Sequence, residues 1–360
     1  MNKDEQIIKH LTQIIAAFWL MMKFISLKLW LTDRSYPLVP IVEMPAIIHV
    51  FLFIISAVLF LWLIIKPQNR LVMIALIITE TTIILGDQTR LQPWHYQYLF
   101  TFFAIAFNKN NSKKAIQAII VMTAATYLFS GLQKINAGFI HSVWSVHMLK
   151  RFFKVPDYII RNRLVQWMGF IIPLIEIGGA LGLLFLKTMK PATWLLIGMH
   201  IFILVFLGPF GINYNVVVWP WNVQMMLLLY LLFIKNAYQL DRIMFKSTAN
   251  YVVAFCWVLL PILGLFGYWD KFLSAGMYSG RDRLMQYHFK DSSSVPVALR
   301  PFIHQSKYDT TTNIILTDWC VKELKVASVI EPRVVNSITR QLNERYAAQQ
   351  LNFEIIERRH

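Results

Sequence analysis

The apolar residues of this chain are gathered into blocks, and that gathering limits what it can fold into. "LLIGMHIFILVF" (195–206) is one such block, and comparable runs recur along the first three quarters of the sequence. A helix that crosses a bilayer needs roughly 20 consecutive, mostly apolar residues. Hydrophobic residues make up 57% of the chain and charged ones 15%, where a soluble domain carries about a quarter charged. A large soluble core would need its charges spread evenly for solvation, and here they cluster between the blocks. The pattern implies an all-α, polytopic membrane bundle.

Nine helical segments are expected, near 7–31, 44–65, 70–86, 93–107, 114–135, 164–186, 191–207, 219–235 and 250–268. Pro67, Pro93 and Pro191 fall at their edges, where a missing N–H costs little. Two segments are short enough to be re-entrant rather than spanning. The first is punctuated by Lys23 and Lys28, read as lysines that snorkel to the headgroups. It lacks a small-residue cleavage signature, so it reads as a retained helix.

Loop charge orients the bundle. The N-terminus and the loops after segments two, four, six and eight carry Lys3, Lys9, Lys66, Arg70, Lys109, Lys113, Lys114, Lys187, Lys190, Lys235, Arg242 and Lys246. The loops after one, three and seven carry little beyond Arg34 and Arg90. By the positive-inside rule the first set is cytoplasmic, and nine crossings put the C-terminus outside. The loop after segment five departs from this with Lys150, Arg151, Lys154, Arg161 and Arg163. The net charge of +16 then follows from loop bias and anionic headgroups. With no recognition motif beside a basic cluster, nucleic acid is not an expected partner. The two cysteines, Cys256 in an apolar run and Cys320 in the polar tail, are poor disulfide partners and have no metal-type spacing.

From about 270 the composition turns polar. A Gly/Ser-rich start ("SAGMYSGRD"), a strand-like "NIILTDW" and one helix from Pro332 with apolar Ile338, Leu342 and Tyr346 suggest a small α+β cap. The expected organisation is a transmembrane domain over 1–269 and a small extracytoplasmic domain over 270–360.

Ionisable groups inside membrane segments are costly and therefore point to function, with structural pairing as the plain alternative. Lys134 ends the stretch "YLFSGLQKINAGF". Tyr127, Gly131, Lys134 and Gly138 share a helical face, with Ser130 one turn before the lysine. The small residues would let another helix or a flat ligand come close. Burial penalises the ammonium form and so makes a usable base of a poor one; a snorkelling lysine reads equally well. His95, in the first turn if Pro93 starts the helix, and His200, deep in an apolar run, are either core histidines or site residues. Glu80, Asp87 and Glu176 would each neutralise a buried cation or relay protons, with interhelical hydrogen bonding the simpler role for Glu80. The charge-free "GPFGINYNVVVWPWN" (208–222) supplies Asn213, Asn215, Trp219 and Asn222 as a pocket rim, since irregular backbone at membrane depth must line a cavity or be buried in protein. "HSVWSVHMLKRFF" reads as an amphipathic interfacial helix with His141 and Trp144 on one face. His147 points elsewhere, so no i, i+4 metal pair forms and no metal is expected.

"YLFSGLQKINAGF" followed by an aromatic amphipathic stretch resembles the HTTM family, the membrane part of vitamin K-dependent γ-glutamyl carboxylases. "PWHYQYLFTFFAIAF" is similar to the family's His-Tyr-Tyr helix, and "MHIFILVFLGPFGINYN" to its histidine helix before a Gly-Phe turn. The resemblance covers roughly 1–270, and the wider clan includes DoxX-like quinone-linked membrane proteins. It implies a vitamin K-type quinol (menaquinol or a relative) as cofactor, with O2 and CO2 where carboxylation is retained. Lys134 would be the base that deprotonates the quinol, His95 and His200 would line its site, and quinol oxidation would drive carboxylation or related chemistry. Tyr127, Gly131, Asn136, His141, Trp144, Glu176 and the 208–222 residues would complete the pocket. The implied partners are membrane lipid, quinone and a protein or peptide substrate on the extracytoplasmic side. Two features depart from the family. Gln133 precedes Lys134 where the animal enzyme has paired lysines, and no large extracytoplasmic β-rich region follows the last helix. The alternative is a non-catalytic quinone- or lipid-binding subunit that scaffolds a partner. An unpaired Lys134 would favour the enzyme, and a Lys134–Glu176 salt bridge the subunit.

Overall fold

The computed structural model describes residues 2–281, 284–289, 295–305, 312–346 and 353–358. Its elements follow the apolar blocks. They are α1 (Lys3–Ile25), the short α2 (Leu27–Trp30), α3 (Ala46–Ile65), α4 (Arg70–Gly86), α5 (Pro93–Phe107) and α6 (Ser112–Lys134). A wide π-type helix (Phe139–Phe152) comes next, then α7 (Arg163–Gly182), α8 (Leu186–Leu207), α9 (Val218–Lys235) and α10 (Thr248–Leu265). Among the described residues seven helices are long and apolar enough to cross a membrane: α1, α3, α6, α7, α8, α9 and α10. The chain is thus a mostly helical, multi-pass membrane protein. α4 and α5, at 17 and 15 residues, are the short segments.

Local chemistry sets the boundaries. Asn2 caps α1 reciprocally with Glu5, and Asn69 and Asn111 accept from the first free N–H groups of α4 and α6. Pro93 opens α5 as its first residue. Pro191 is not at an edge, because α8 begins at Leu186.

Contacts sort the helix ends onto two faces. On one, Lys3 donates to the Asn236 carbonyl (3.4 Å), Lys113 pairs with Asp241 at 2.6 Å, and Asn108 meets Asn250 at 2.8 Å. The other gathers the loops 32–45, 87–92, 135–138, 208–217 and 266–280, and the cap stands on it. The cap is a four-stranded antiparallel sheet in the order β2-β3-β1-β4, with β1 Leu284–Phe289, β2 His304–Gln305, β3 Thr312–Ile315 and β4 Phe353–Arg358. In its register Tyr287 faces Ile314. The helices α11 (Leu316–Leu324) and α12 (Pro332–Arg345) complete it.

The helix from Pro332 packs Val334, Val335, Ile338 and Leu342 inward, while Tyr346 caps its end. The strand expected over 313–319 stops at Ile315. Leu316–Leu324 coils instead, placing Leu316, Trp319, Cys320 and Leu324 on one buried face. Asp282, at the end of the Gly/Ser-rich stretch, lies outside the described residues.

The cap is bolted down by polar contacts. Glu323 accepts from the Ser35 N–H (2.7 Å), the Ser35 hydroxyl (2.7 Å), the Tyr36 N–H (2.8 Å) and the Trp319 indole (2.9 Å). Arg333 pairs with Asp270 at 2.8 Å and donates to Gln88 at 2.7 Å.

Candidate functional site

The α6–α7 packing builds the site. A side-chain carbon on Gly131 would lie 2.7 Å from Ile177, 2.8 Å from the Pro173 carbonyl and 3.1 Å from the Glu176 Cβ. Gly131 therefore makes room for a neighbouring helix, not for a flat ligand. That close approach delivers Glu176 to Lys134. Lys134 Nζ donates to both Glu176 oxygens, at 2.8 and 2.7 Å, and to the Ser130 hydroxyl at 2.6 Å. The side chains are 9% and 5% exposed. Of the two arrangements weighed for Lys134, the paired one is present: the surroundings that oppose its charge are answered by a carboxylate one helix away.

A second polar group sits two turns earlier on the same face of α6, roughly 10 Å back along the axis. Tyr127 Oη lies 2.6 Å from His200 Nε2, and His200 Nδ1 lies 2.7 Å from Asn222 Oδ1. The Asn222 amide donates to the Val218 carbonyl at 2.7 Å, which fixes its oxygen toward the ring. His200 Nδ1 then carries the proton, and Nε2 accepts from the Tyr127 hydroxyl. This leaves the tyrosine oxygen free to accept a further hydrogen bond.

Both groups line one cavity of about 1310 Å³. Its walls are mostly apolar and aromatic, with Tyr96, Met199, Phe202, Trp221, Met225 and Trp257 among them. Residues of the cap, including Ile315 and Asp318, also line it. A pocket that is largely apolar with a few convergent polar groups is the usual form of a small-molecule site. Among the described residues no cluster of three His, Cys, Asp or Glu side chains is placed to hold a metal.

Several expected members lie elsewhere. His95 is fully buried outside the cavity wall, beside Glu80 (3.5 Å) and edge-on to Trp19. Pro93 and Tyr96, three apart, share the cavity face of α5, and His95 projects from another side. Its ring nitrogens make no hydrogen bond. Asn136 ties the end of α6 to the loop before the cap, donating to Gln133 and Ser279 (2.8 Å each) and accepting from Phe139 N–H. Gly138 packs on the Gly280 carbonyl.

The 139–152 helix brings both His141 and His147 to the cavity. Trp144 instead donates to the Val165 carbonyl (2.8 Å) and packs on Gly169. A π spiral, hydrogen-bonded i to i+5, stacks residues differently from the α-helical wheel that paired His141 with Trp144. In the 208–222 stretch Asn213 and Asn215 hold left-handed turns (φ 47° and 52°). Asn215 donates to Tyr278 (2.8 Å), and Trp219 to the Leu207 carbonyl (3.2 Å). These residues shape the loop, and Ile212, Tyr214, Val218, Trp221 and Asn222 line the cavity.

A second buried cluster had no sequence signal beyond the charges themselves. Lys23 does not snorkel. Its side chain is fully buried, 2.8 Å from Glu80 and 3.9 Å above the Trp30 ring. Ser56 also bonds to Glu80. Nearby, Asp87 takes Arg34 at 2.6 Å, and Arg90 lies 2.9 Å from His49. No protein-family profile, curated protein or solved structure matches the chain.

Proposed function

We propose that the protein is an integral membrane enzyme that binds a vitamin K-type quinol in this cavity, in the manner of the γ-carboxylase family its motifs resemble. The carrying observation is the large, apolar and aromatic cavity with the ionisable side chains of Tyr127, Lys134, Glu176 and His200 gathered in its wall. The residues present fit such a group: flat aromatic walls for a ring, and hydrogen-bonding side chains at two heights on α6. When bound, a quinol supplies acidic hydroxyls and reducing electrons.

The chain's own part is to orient and to take a proton. Lys134 is the base once its own proton has passed to Glu176: the neutral amine takes the quinol proton, and the ammonium that forms stays beside the anion left behind. Tyr127, with its own proton committed to His200, offers an acceptor. The cap supplies part of the cavity wall.

On this reading the N-terminus and the Lys3, Lys113 and Lys235 face are cytoplasmic, with nine crossings and the cap outside. Its support is that the basic loops, the 150–163 stretch excepted, fall on the face opposite the cap. The acceptor is a carboxylation substrate, or one of related chemistry, reached from the cap side.

A second reading, a non-catalytic quinone- or lipid-binding subunit, is favoured by the pairing itself, because a salt-bridged lysine is not a free amine. Lys134→Arg separates the two, since guanidinium keeps an ion pair but does not give up its proton. The enzyme reading expects Lys134→Arg in membrane vesicles to fold and to bind a quinone analogue while losing quinol oxidation by 10²-fold or more, the usual scale of general-base work. An Arg variant that turns over quinol like wild type removes the base. A wild-type melting curve that does not move at saturating quinone removes the enzyme reading and leaves a lipid-binding subunit, because occupancy at about 100 times Kd stabilises by about 2.7 kcal/mol.

A further inference from the structure

The cavity has a second constraint, set by how α7 and α8 meet. They touch where Gly179 and Gly182 admit Leu196 and Ala192, each 2.6 Å from where a glycine Cβ would stand. Past that contact, toward the cap, Ile172 and Ile175 of α7 and Gly198, Met199 and Phe202 of α8 line the cavity.

Some of these wall residues are also outer-surface residues. Trp194 is 56% and Leu195 46% exposed, and both line the cavity. Gly198 is exposed too, with no atom within 4 Å of where its Cβ would be. A residue that belongs to both surfaces marks a mouth. This mouth lies on a helix long and apolar enough to cross a membrane, so what lies outside it is acyl chain and not water. At about 1310 Å³ the cavity exceeds the roughly 300–1,000 Å³ that holds a drug-sized ligand, which leaves room for a tail as well as a head group.

We propose that the cavity is entered sideways from the bilayer, through a portal at Gly198 beside Trp194 and Leu195, and that its ligand is an amphiphile with one acyl or prenyl tail lying in that portal. The inference needs only the tail. It holds for a quinol and equally for another single-tailed lipid.

The test places the full chain in phosphatidylcholine nanodiscs containing a diazirine-bearing fatty acid, with cross-links mapped by mass spectrometry. The expected result is labelling inside the cavity, at residues such as Met225. It should fall at least tenfold in Gly198→Phe, whose ring would fill the open space. Labelling of the outward-facing Ile201 and Val205, 52% and 46% exposed, should not change. If those two sites or the elution profile show that Gly198→Phe has not folded, Gly198→Leu takes its place. Interior labelling that is absent in the wild type, or that persists in the folded plugged variant, overturns the portal. So does interior labelling of the wild type by a sulphonated, water-soluble diazirine in place of the fatty acid. Because the probe carries no quinone, a protein that binds no quinone leaves this result standing.

Discussion

Lys23–Glu80 and Lys134–Glu176 are the same chemical pair at nearly the same distance, 2.8 and 2.7 Å, in two regions built differently. Lys23 is roofed by the Trp30 ring, and its surroundings are closed by Trp19, Phe60 and His95. No atom of that pair lines the cavity. Lys134 and Glu176 lie in the cavity wall, with Ser130 and the Tyr127–His200–Asn222 relay along the same face. Charge in a membrane interior is commonly read as function, and the comparison refines that rule. A pair sealed on all sides fastens helices, α1 to α4 here. A pair with one side open to a cavity is available to a ligand.

The sealed pair gives the largest expected effect. Removing one partner of a buried ion pair strands the other, at a cost of about 3–5 kcal/mol. Glu80→Leu should lower the melting midpoint of the detergent-purified protein by that much or prevent its accumulation. Lys23→Met combined with Glu80→Leu should recover most of the loss, because an apolar pair of similar volume needs no compensation. If the single variant melts like wild type, Lys23–Glu80 is not a fastener and the contrast fails.

Gly131 tests the other side at a smaller scale. Gly131→Ala drives a methyl into Ile177 and the Pro173 carbonyl, and overpacking of this kind costs about 1–3 kcal/mol. It should also pull Glu176 away from Lys134 and weaken the thermal shift that a quinone analogue produces. Gly178→Ala, between the close contacts at Ile177 and Gly179 but facing open space, has nothing within 4 Å of the new carbon and serves as the control. It should be neutral or slightly stabilising. Equal losses from the two would mean that the α6–α7 approach is not what Gly131 provides.

The helices were legible in the sequence because hydropathy and end chemistry are local. Pro93 and Phe107 bound an apolar run and also bound α5, and Asn69 precedes an apolar run and caps α4. The polar residues that matter were legible one at a time. Which of them meet was not, since Lys134 and Glu176 are 42 residues apart and their contact depends on a glycine letting two helices close. The same reason hid Lys23–Glu80 and put His95 on the wrong side of α5. Short-range pattern reports what a residue is and where its element begins and ends. The partner comes from packing.

The smallest effect concerns the clasp that holds the cap over the cavity. Burial pushes the Glu323 carboxyl up, but hydrogen bonds from the Ser35 hydroxyl, the Ser35 and Tyr36 N–H groups and the Trp319 indole outweigh it and hold the group below its ordinary value of 4.5. A carboxyl depressed in the folded state contributes stability that is complete above its unfolded value and is lost as pH falls through its folded value. Glu323→Gln keeps the shape and removes the charge, so it should cost about 1 kcal/mol at neutral pH, the scale of a hydrogen bond's net contribution. Asp318, in the same cap, is pushed up by burial and drifts in the opposite sense with acid, so the useful quantity is wild type minus variant. That difference in melting midpoint should be constant from neutral pH down to about the ordinary carboxylate value and shrink below it. A difference that stays flat into the acid range would mean the cap is held by its apolar contacts and by Arg333 rather than by the Glu323 carboxylate.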